Sequence, residues 1–286
     1  MGRQSGWEPI AGAGVLAGLL IAMGSLTGCG AFEGARGADS ILEIFQGPSA
    51  QDAAEMALDE YNADTRFRGV TLLAGDVAGG SDTALELYRV SVYDDDAGVR
   101  QAAARALGLH GDRSDAAALV ELLGDESRLV RLATAQALQR IHDPAAVGPL
   151  IDTATERGEA DPVVRAAAAR ALGQYRQPRV LQALVGVLDD RQLVVNHAAR
   201  ESLRTLTGQD FGLDTSAWLS WIGQTDDAFA AGRVYTYRGY ARDKTLLEWL
   251  PFFPDPPRET PAPPVGMPRG LDTEAQAAAD GGAGRG

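Results

Sequence analysis

The stretch Val99–Gly108 (VRQAAARALG) returns almost unchanged as Val164–Gly173 (VRAAAARALG), and this self-similarity constrains the fold more than any other feature of the chain. Looser copies are Val130–Leu138 and Val195–Leu203, and a fainter one is Phe67–Ala74. The residue after the first apolar position marks each copy at 68, 100, 131, 165 and 196, at intervals of 31 to 34 residues. A unit of this length cannot enclose a core alone, so it must bury its apolar face against its neighbours, as in a stacked solenoid. Apolar residues such as Val99, Ala102/Ala103 and Ala106/Leu107 recur with helical spacing. Pairs of helices follow: first helices over roughly 51–61, 82–93, 113–124, 144–157 and 178–189, second helices over 66–75, 97–109, 127–141, 162–175 and 191–206. Gly108, Gly111-Asp112, Asp143-Pro144, Gly173 and Gln177-Pro178 punctuate them, and Pro144, Pro162 and Pro178 stand near helix starts, where a missing N–H costs nothing.

The N-terminal residues follow another logic. Arg3 precedes an uncharged run from Ile10 to Gly28 that closes in Leu26-Thr27-Gly28-Cys29. A charged start, an apolar stretch and small residues before a cleavage point describe a secretory signal. Its ending resembles the lipobox of bacterial lipoproteins, which implies that Cys29 is acylated and becomes the first mature residue. Cys29 is the only cysteine, so it has no internal disulfide partner. The competing reading is an uncleaved anchor, because the apolar run approaches the length of a spanning helix. Residues 1–28 are thus expected to be a signal peptide and 29–50 a tether. Gly30 in the following position leans towards the outer membrane. A net charge of −13 argues against nonspecific nucleic-acid binding and against an anionic lipid surface, which leaves membrane attachment to the acyl chains.

The alternating helices resemble HEAT repeats, in particular the bacterial type named after phycobilisome lyases. In those repeats the turn between the two helices carries an Asp six residues before an Arg. Asp94/Arg100 and Asp125/Arg131 match, and Glu159/Arg165 keeps the charges. Asp190/Asn196 loses the cation and Asn62/Arg68 the anion. The resemblance implies that these residues build a hydrogen-bonded ladder along the solenoid and are structural. It covers about residues 51–222 and implies an all-α, right-handed α-solenoid of about five HEAT-like helix pairs. The wider layout resembles HEAT-repeat lipoproteins of bacterial envelopes.

After the last repeat, Asp214 or Thr215 is a candidate N-cap for a short helix carrying Trp218 and Trp221. With Phe211 these rings are large enough to cover the exposed end of a solenoid. Residues 223–250 form an aromatic extension, with Tyr235, Tyr237, Tyr240 and Trp249 suited to packing back on that cap. Residues 251–286 are rich in Pro, Ala and Gly and are expected to be extended or disordered.

No catalytic cluster stands out. His110 and His142 fall at or just past the ends of second helices, His197 is isolated, and no His pair has zinc spacing. Asp94-Asp95-Asp96 lacks the spacing of a calcium loop and reads as a solvated turn. No metal, cofactor or enzymatic activity is expected. The second helices hold twelve of the 26 basic residues and a single acid, Glu201. The ladder and helix-end electrostatics account for several of these arginines. Arg105, Arg128, Arg170 and Arg200 are left over, and they are the candidate partner-binding residues. By the resemblance, the second helices line the concave side. The expected function is a lipid-anchored envelope scaffold that binds another, acidic protein through this face, the Pro-rich tail, or both. The alternatives are a purely structural envelope component and, as a different class, a tetrapyrrole-binding enzyme of the phycobilin-lyase type.

Overall fold

The computed structural model describes residues 48–239, 241–245, 249, 256 and 258–267. Among the described residues eleven α-helices follow one another: α1 (Ala50–Ala57), α2 (Ala63–Gly75), α3 (Asp82–Ser91), α4 (Ala97–His110), α5 (Ala116–Leu122), α6 (Arg128–Ala137), α7 (Val147–Thr153), α8 (Pro162–Leu172), α9 (Pro178–Val187), α10 (Leu193–Thr207) and α11 (Thr215–Gln224). The first ten form the five expected pairs. Their starts follow from capping chemistry. Asp96 accepts from the amides of Gly98 and Val99 at 2.8 and 3.1 Å. Asp161 does the same for Val163 and Val164 ahead of Pro162. Helices α5 and α7 begin three residues later than expected, because Asp112 and Asp143 start a tighter 3-10 turn first. Helix α1 ends early: Asp59 accepts from the amides of Tyr61 and Asn62, which draws the chain out of the helix.

The second helices α2, α4, α6, α8 and α10 pack on one another in an unbroken row, and each first helix packs on its own partner. Small side chains allow that row. Ala103, Ala135, Ala168 and Ala199 are fully buried in it. At Gly108 a Cβ would stand 2.8 Å from both Cα and Cβ of Ala137, so the two helices meet there only because the residue is glycine. Larger side chains such as Tyr88, Leu119, Leu150 and Leu184 fill the layer between first and second helices.

The C-terminal cap forms as its composition predicts. Asp214 accepts from the Ala217 amide at 2.9 Å and starts α11. Trp218 is fully buried, with its Nε1 donating to the Gly212 carbonyl, and meets Phe211 edge-on at 4.9 Å and Trp221 at 6.3 Å. Beyond α11 the chain departs from expectation. Instead of staying on the cap, residues 229–238 run back over the second helices, where the Arg233 amide donates to the Thr205 carbonyl at 2.7 Å and Tyr235 is buried.

Residues 258–267, which the composition assigns to an unstructured tail, are ordered against the turn that follows α6, at Arg140–His142. A proline-rich segment buries too little of itself to fold alone, but here it uses a surface the repeats provide. The Val265 amide donates to the Arg140 carbonyl at 2.7 Å, and the His142 amide donates to the Val265 carbonyl at 2.8 Å. Residues 229–238 and 258–267 are together called the strap below.

Candidate protein-binding groove

The two ends of the second helices are built differently. At their N-terminal ends, each ladder arginine bridges two repeats. Arg100 donates through Nη1 to the carbonyls of Asp94 and Asp95 in its own turn, and through Nε to Asp125 of the next turn at 2.7 Å. Arg131 joins its own turn to Glu159 at 2.5 Å, and Arg165 joins its own turn to Asp190 at 2.8 Å. The ladder therefore pairs each arginine with the acid of the following repeat; Asp94 and Arg100 meet only through the Asp94 carbonyl. Each acid uses its other oxygen on the amide two residues on, as Asp94 does for Asp96 at 2.8 Å. Burial is the largest single influence on Asp94, Asp125 and Glu159 and opposes their ionisation, but the arginine hydrogen bond, the backbone amide and the nearby arginine charge together outweigh it and hold all three below the usual carboxylate range.

The first rung is also displaced from its expected position. Arg66, not Arg68, joins Asp94 at 2.7 Å and the Asp59 carbonyl at 3.0 Å, and Arg68 points to solvent. That turn is one residue longer, seven positions from acid to arginine instead of six, which hides it from a fixed-spacing search. At the far end Asn196 still donates to its own turn, at the Leu188 carbonyl, but its Oδ1 is buried without a hydrogen-bond partner. The loss of the cation at position 196 ends the ladder there.

At the C-terminal halves of the second helices lies a groove roofed by the strap. The larger cavity holds about 600 Å³ between α4, α6 and α8, with Tyr237, Arg238 and Glu259 of the strap on its other side. A smaller one of about 300 Å³ lies beyond Tyr237, and Gln139, Arg170, Tyr237 and Arg238 border both. Arg140 is clamped between two strap residues: Nη2 donates to Glu259 at 2.6 Å, and its guanidinium lies 5.0 Å from the Tyr237 ring centre. Arg238 donates to both carboxylate oxygens of Glu201. His142 stacks on Tyr175 at 4.7 Å and lies 3.2 Å from Gln174 Oε1; burial holds its imidazole below the ordinary value.

The four candidate partner-binding arginines separate here. Arg128 pairs with Asp161, and Arg200 donates to both oxygens of Asp210, so both are tied into the fold. Arg200 holds the Asp210 carboxyl down to about 2. Arg105 and Arg170 occupy the same position in alternate repeats, five residues after Arg100 and Arg165, and both line the larger cavity. Arg105 is exposed and has no ion pair among the described residues. Arg170 is half-buried with its Nε unpartnered, and burial together with neighbouring Arg238 pushes its guanidinium below the ordinary value. Arg140, Arg238 and Glu259 are groove residues that sequence reasoning did not single out, and Tyr237 was named only as part of the aromatic extension. The aromatic run around Tyr237 was their only signal.

Cys29 lies outside the described residues, as do Tyr240 and residues 268–286. Among the described residues no three His, Cys, Asp or Glu side chains are grouped to hold a metal ion, and no helix is long and apolar enough to cross a membrane.

A family model described as HEAT repeats matches residues 50–139 and again 116–204. Solved structures similar to the chain include YibA of E. coli, at 18% identity over 62% of this chain and 68% of that one, with a TM-score of 0.44. A computationally designed armadillo repeat protein for modular peptide recognition is 14% identical over 64% and 95%, with a TM-score of 0.42. The complex of CpcE and CpcF of phycocyanin lyase from Nostoc sp. is 21% identical over 56% and 77%, with a TM-score of 0.39. No curated protein matched the sequence.

Proposed function

Because the chain belongs to the HEAT-repeat family, we propose that it is a lipid-anchored scaffold of the cell envelope that holds another protein against its second-helix face. The observation that carries this reading is the groove at Arg105 and Arg170. Its walls present Arg105, Arg140, Arg170 and Arg238 around one lining acid, Glu259, in a chain whose net charge is −13. A cationic, partly desolvated recess on an acidic protein selects a partner that brings carboxylates, and the opposed potentials give it orientation and rate. The polar groups of the groove are arginines, a glutamine pair, a tyrosine and a glutamate, a set suited to holding carboxylates. Anchoring rests on Cys29 at the end of its lipobox-like run.

Two measurements test this. The acylated wild-type protein, purified from membranes, should retain one stoichiometric partner, and that complex should weaken with salt. Charge reversal of Arg105 with Arg170 should reduce capture and flatten the salt dependence while the helical circular dichroism signal is kept. Full capture with unchanged salt dependence in the folded double variant rules the groove out. Cys29→Ser should appear in the soluble fraction or as an uncleaved precursor, and unaltered processing with unaltered membrane retention excludes lipidation.

A further inference from the structure

The groove is already occupied by the chain's own residues. The two parts of the strap are held in different ways. Residues 229–238 are anchored: Tyr235 is buried, the Arg233 amide bonds Thr205, and at Gly232 a Cβ would collide with the Leu206 carbonyl. Residues 258–267 bury only Pro264 among their side chains, and Val265 is 51% exposed. What holds them is main-chain pairing and one ion pair. Val265 pairs with the chain at Arg140 and His142, the Tyr237 amide donates to the Ala262 carbonyl at 3.0 Å, and Glu259 meets Arg140.

Main-chain pairing recognises any extended segment, and the carboxylate supplies the selectivity. Pro261, Pro263 and Pro264 keep the segment extended, and only Pro264 of the three is buried. Glycines allow its ends to approach: a Cβ at Gly239 would overlap the Glu259 carbonyl, and Gly266 turns at a φ of 84° against Arg113. Without Glu259, Arg140 would join Arg105 and Arg170 as a third cation lacking a carboxylate in the same recess.

Resting on the scaffold reading above, we propose that residues 258–267 are a built-in stand-in for the partner. The partner enters by exchange, laying an extended segment of its own along the turn that follows α6 with a carboxylate on Arg140 in place of Glu259. Anchored residues 229–238 stay in place and form the other wall of the site. The cis segment is tethered, so a competitor faces it at a high effective concentration, and the groove opens only to a segment that also reaches Arg105 and Arg170.

The full-length chain tests this with a fluorescein-labelled synthetic peptide of residues 256–267 as probe. Glu259→Arg in the protein sets two cations together and should release the cis segment, so the variant binds the peptide roughly tenfold or more tighter than wild type. Adding Arg140→Glu restores an ion pair in cis and repels the peptide's glutamate, and binding should be lost. Equal peptide binding by wild type and Glu259→Arg overturns the exchange, as does binding indifferent to Arg140→Glu. Light scattering that finds Glu259→Arg as a dimer, with no gain in peptide binding, assigns the groove to a second copy and also overturns it. Partner capture separates this proposal from the one it rests on. If reversal of Arg105 and Arg170 abolishes capture while Glu259→Arg changes neither capture nor peptide binding, the scaffold stands and the exchange falls. If no form captures a partner although Glu259→Arg takes up the peptide, the scaffold reading itself fails.

Discussion

The N-terminal and C-terminal ends of the same five second helices solve one problem in opposite ways. Both ends have backbone groups and charges to satisfy, and both draw on arginine. At the N-terminal ends the solution is periodic: Arg66, Arg100, Arg131 and Arg165 each take a carbonyl of their own turn and a carboxylate of the next. Arg165 and Asp190 are only 4% and 3% exposed, so the far rung is a desolvated pair in which each guanidinium nitrogen is hydrogen-bonded. At the C-terminal ends the solution is borrowed from a distant part of the chain, and the Arg140–Glu259 pair is 22% and 27% exposed. A buried, fully bonded rung costs a great deal to break but is replaceable by nothing from outside. A half-exposed clamp costs little to break and is open to exchange. The first end specifies the stack, and the second is suited to recognition.

Acid should separate the two ends most strongly, because it removes several rungs at once. Asp94, Asp125 and Glu159 have folded values held below the usual carboxylate range. Their contribution is therefore complete above the unfolded value of about 4 and is lost as pH falls through the folded values. His142, at the groove end, is also depressed, by burial. Its neutral form is favoured in the fold, so stability falls from about pH 6.5 downward and this loss levels off below the folded value. Denaturation midpoints should decline gently below about pH 6.5 and steeply below about pH 4. Replacing His142 with Gln should remove the first decline alone. A single steep transition near pH 6 in both proteins would contradict the assignment of the ladder as the acid-sensitive element.

Removal of one rung is the next largest effect. Arg165→Met leaves Asp190 buried without its cation and the carbonyls of Glu159 and Ala160 without their donor, at a cost of about 3–5 kcal/mol. Arg128→Met, whose partner Asp161 is also a helix cap and whose side chain is 48% exposed, should cost below about 1 kcal/mol. Equal unfolding free energies for the two variants would remove the distinction between ladder and surface pairs. The alanine row comes next. Ala168 is fully buried where α8 meets its neighbours, so Ala168→Leu should overpack it by about 1–3 kcal/mol, read from the same denaturation curves.

The same two ends explain what the sequence made legible. The stack, its five pairs and the aromatic cap follow from apolar spacing, breakers and acids at helix starts, all of which are local. The ladder residues were visible because turn chemistry repeats with the period, but their pairing across repeats was not. An Asp and an Arg six apart look like partners, yet the arginine fork spans to the next turn. Asp59 and Arg66 escaped because a one-residue insertion broke the spacing. The strap had no local signal beyond the aromatic run around Tyr237. Arg140 and Glu259 are 119 positions apart, and the segment carrying Glu259 is held mostly through its main chain, which no side-chain pattern reports. Arg128 and Arg200 looked unassigned for a related reason, since Asp161 and Asp210 lie outside the helices that carry those arginines.

The smallest expected effect is the most discriminating. Glu259→Gln keeps the shape of the side chain and removes its charge, so Arg140 loses its carboxylate but keeps Tyr237 above it. Because both partners are partly solvated, global stability should change by less than about 1 kcal/mol. Local opening should respond much more, because residues 258–267 have little buried apolar surface to hold them once the clamp is released. Hydrogen exchange at the Val265 and Tyr237 amides should accelerate together, since both bond to or within that segment. The Arg233 amide, bonded to Thr205 on α10, should exchange as in wild type. If Glu259→Gln lowers global stability as much as Arg165→Met, the segment is part of the stack and not a replaceable occupant. If the Arg233 amide opens with the other two, the strap moves as one piece, and residues 229–238 are not the fixed wall of the groove.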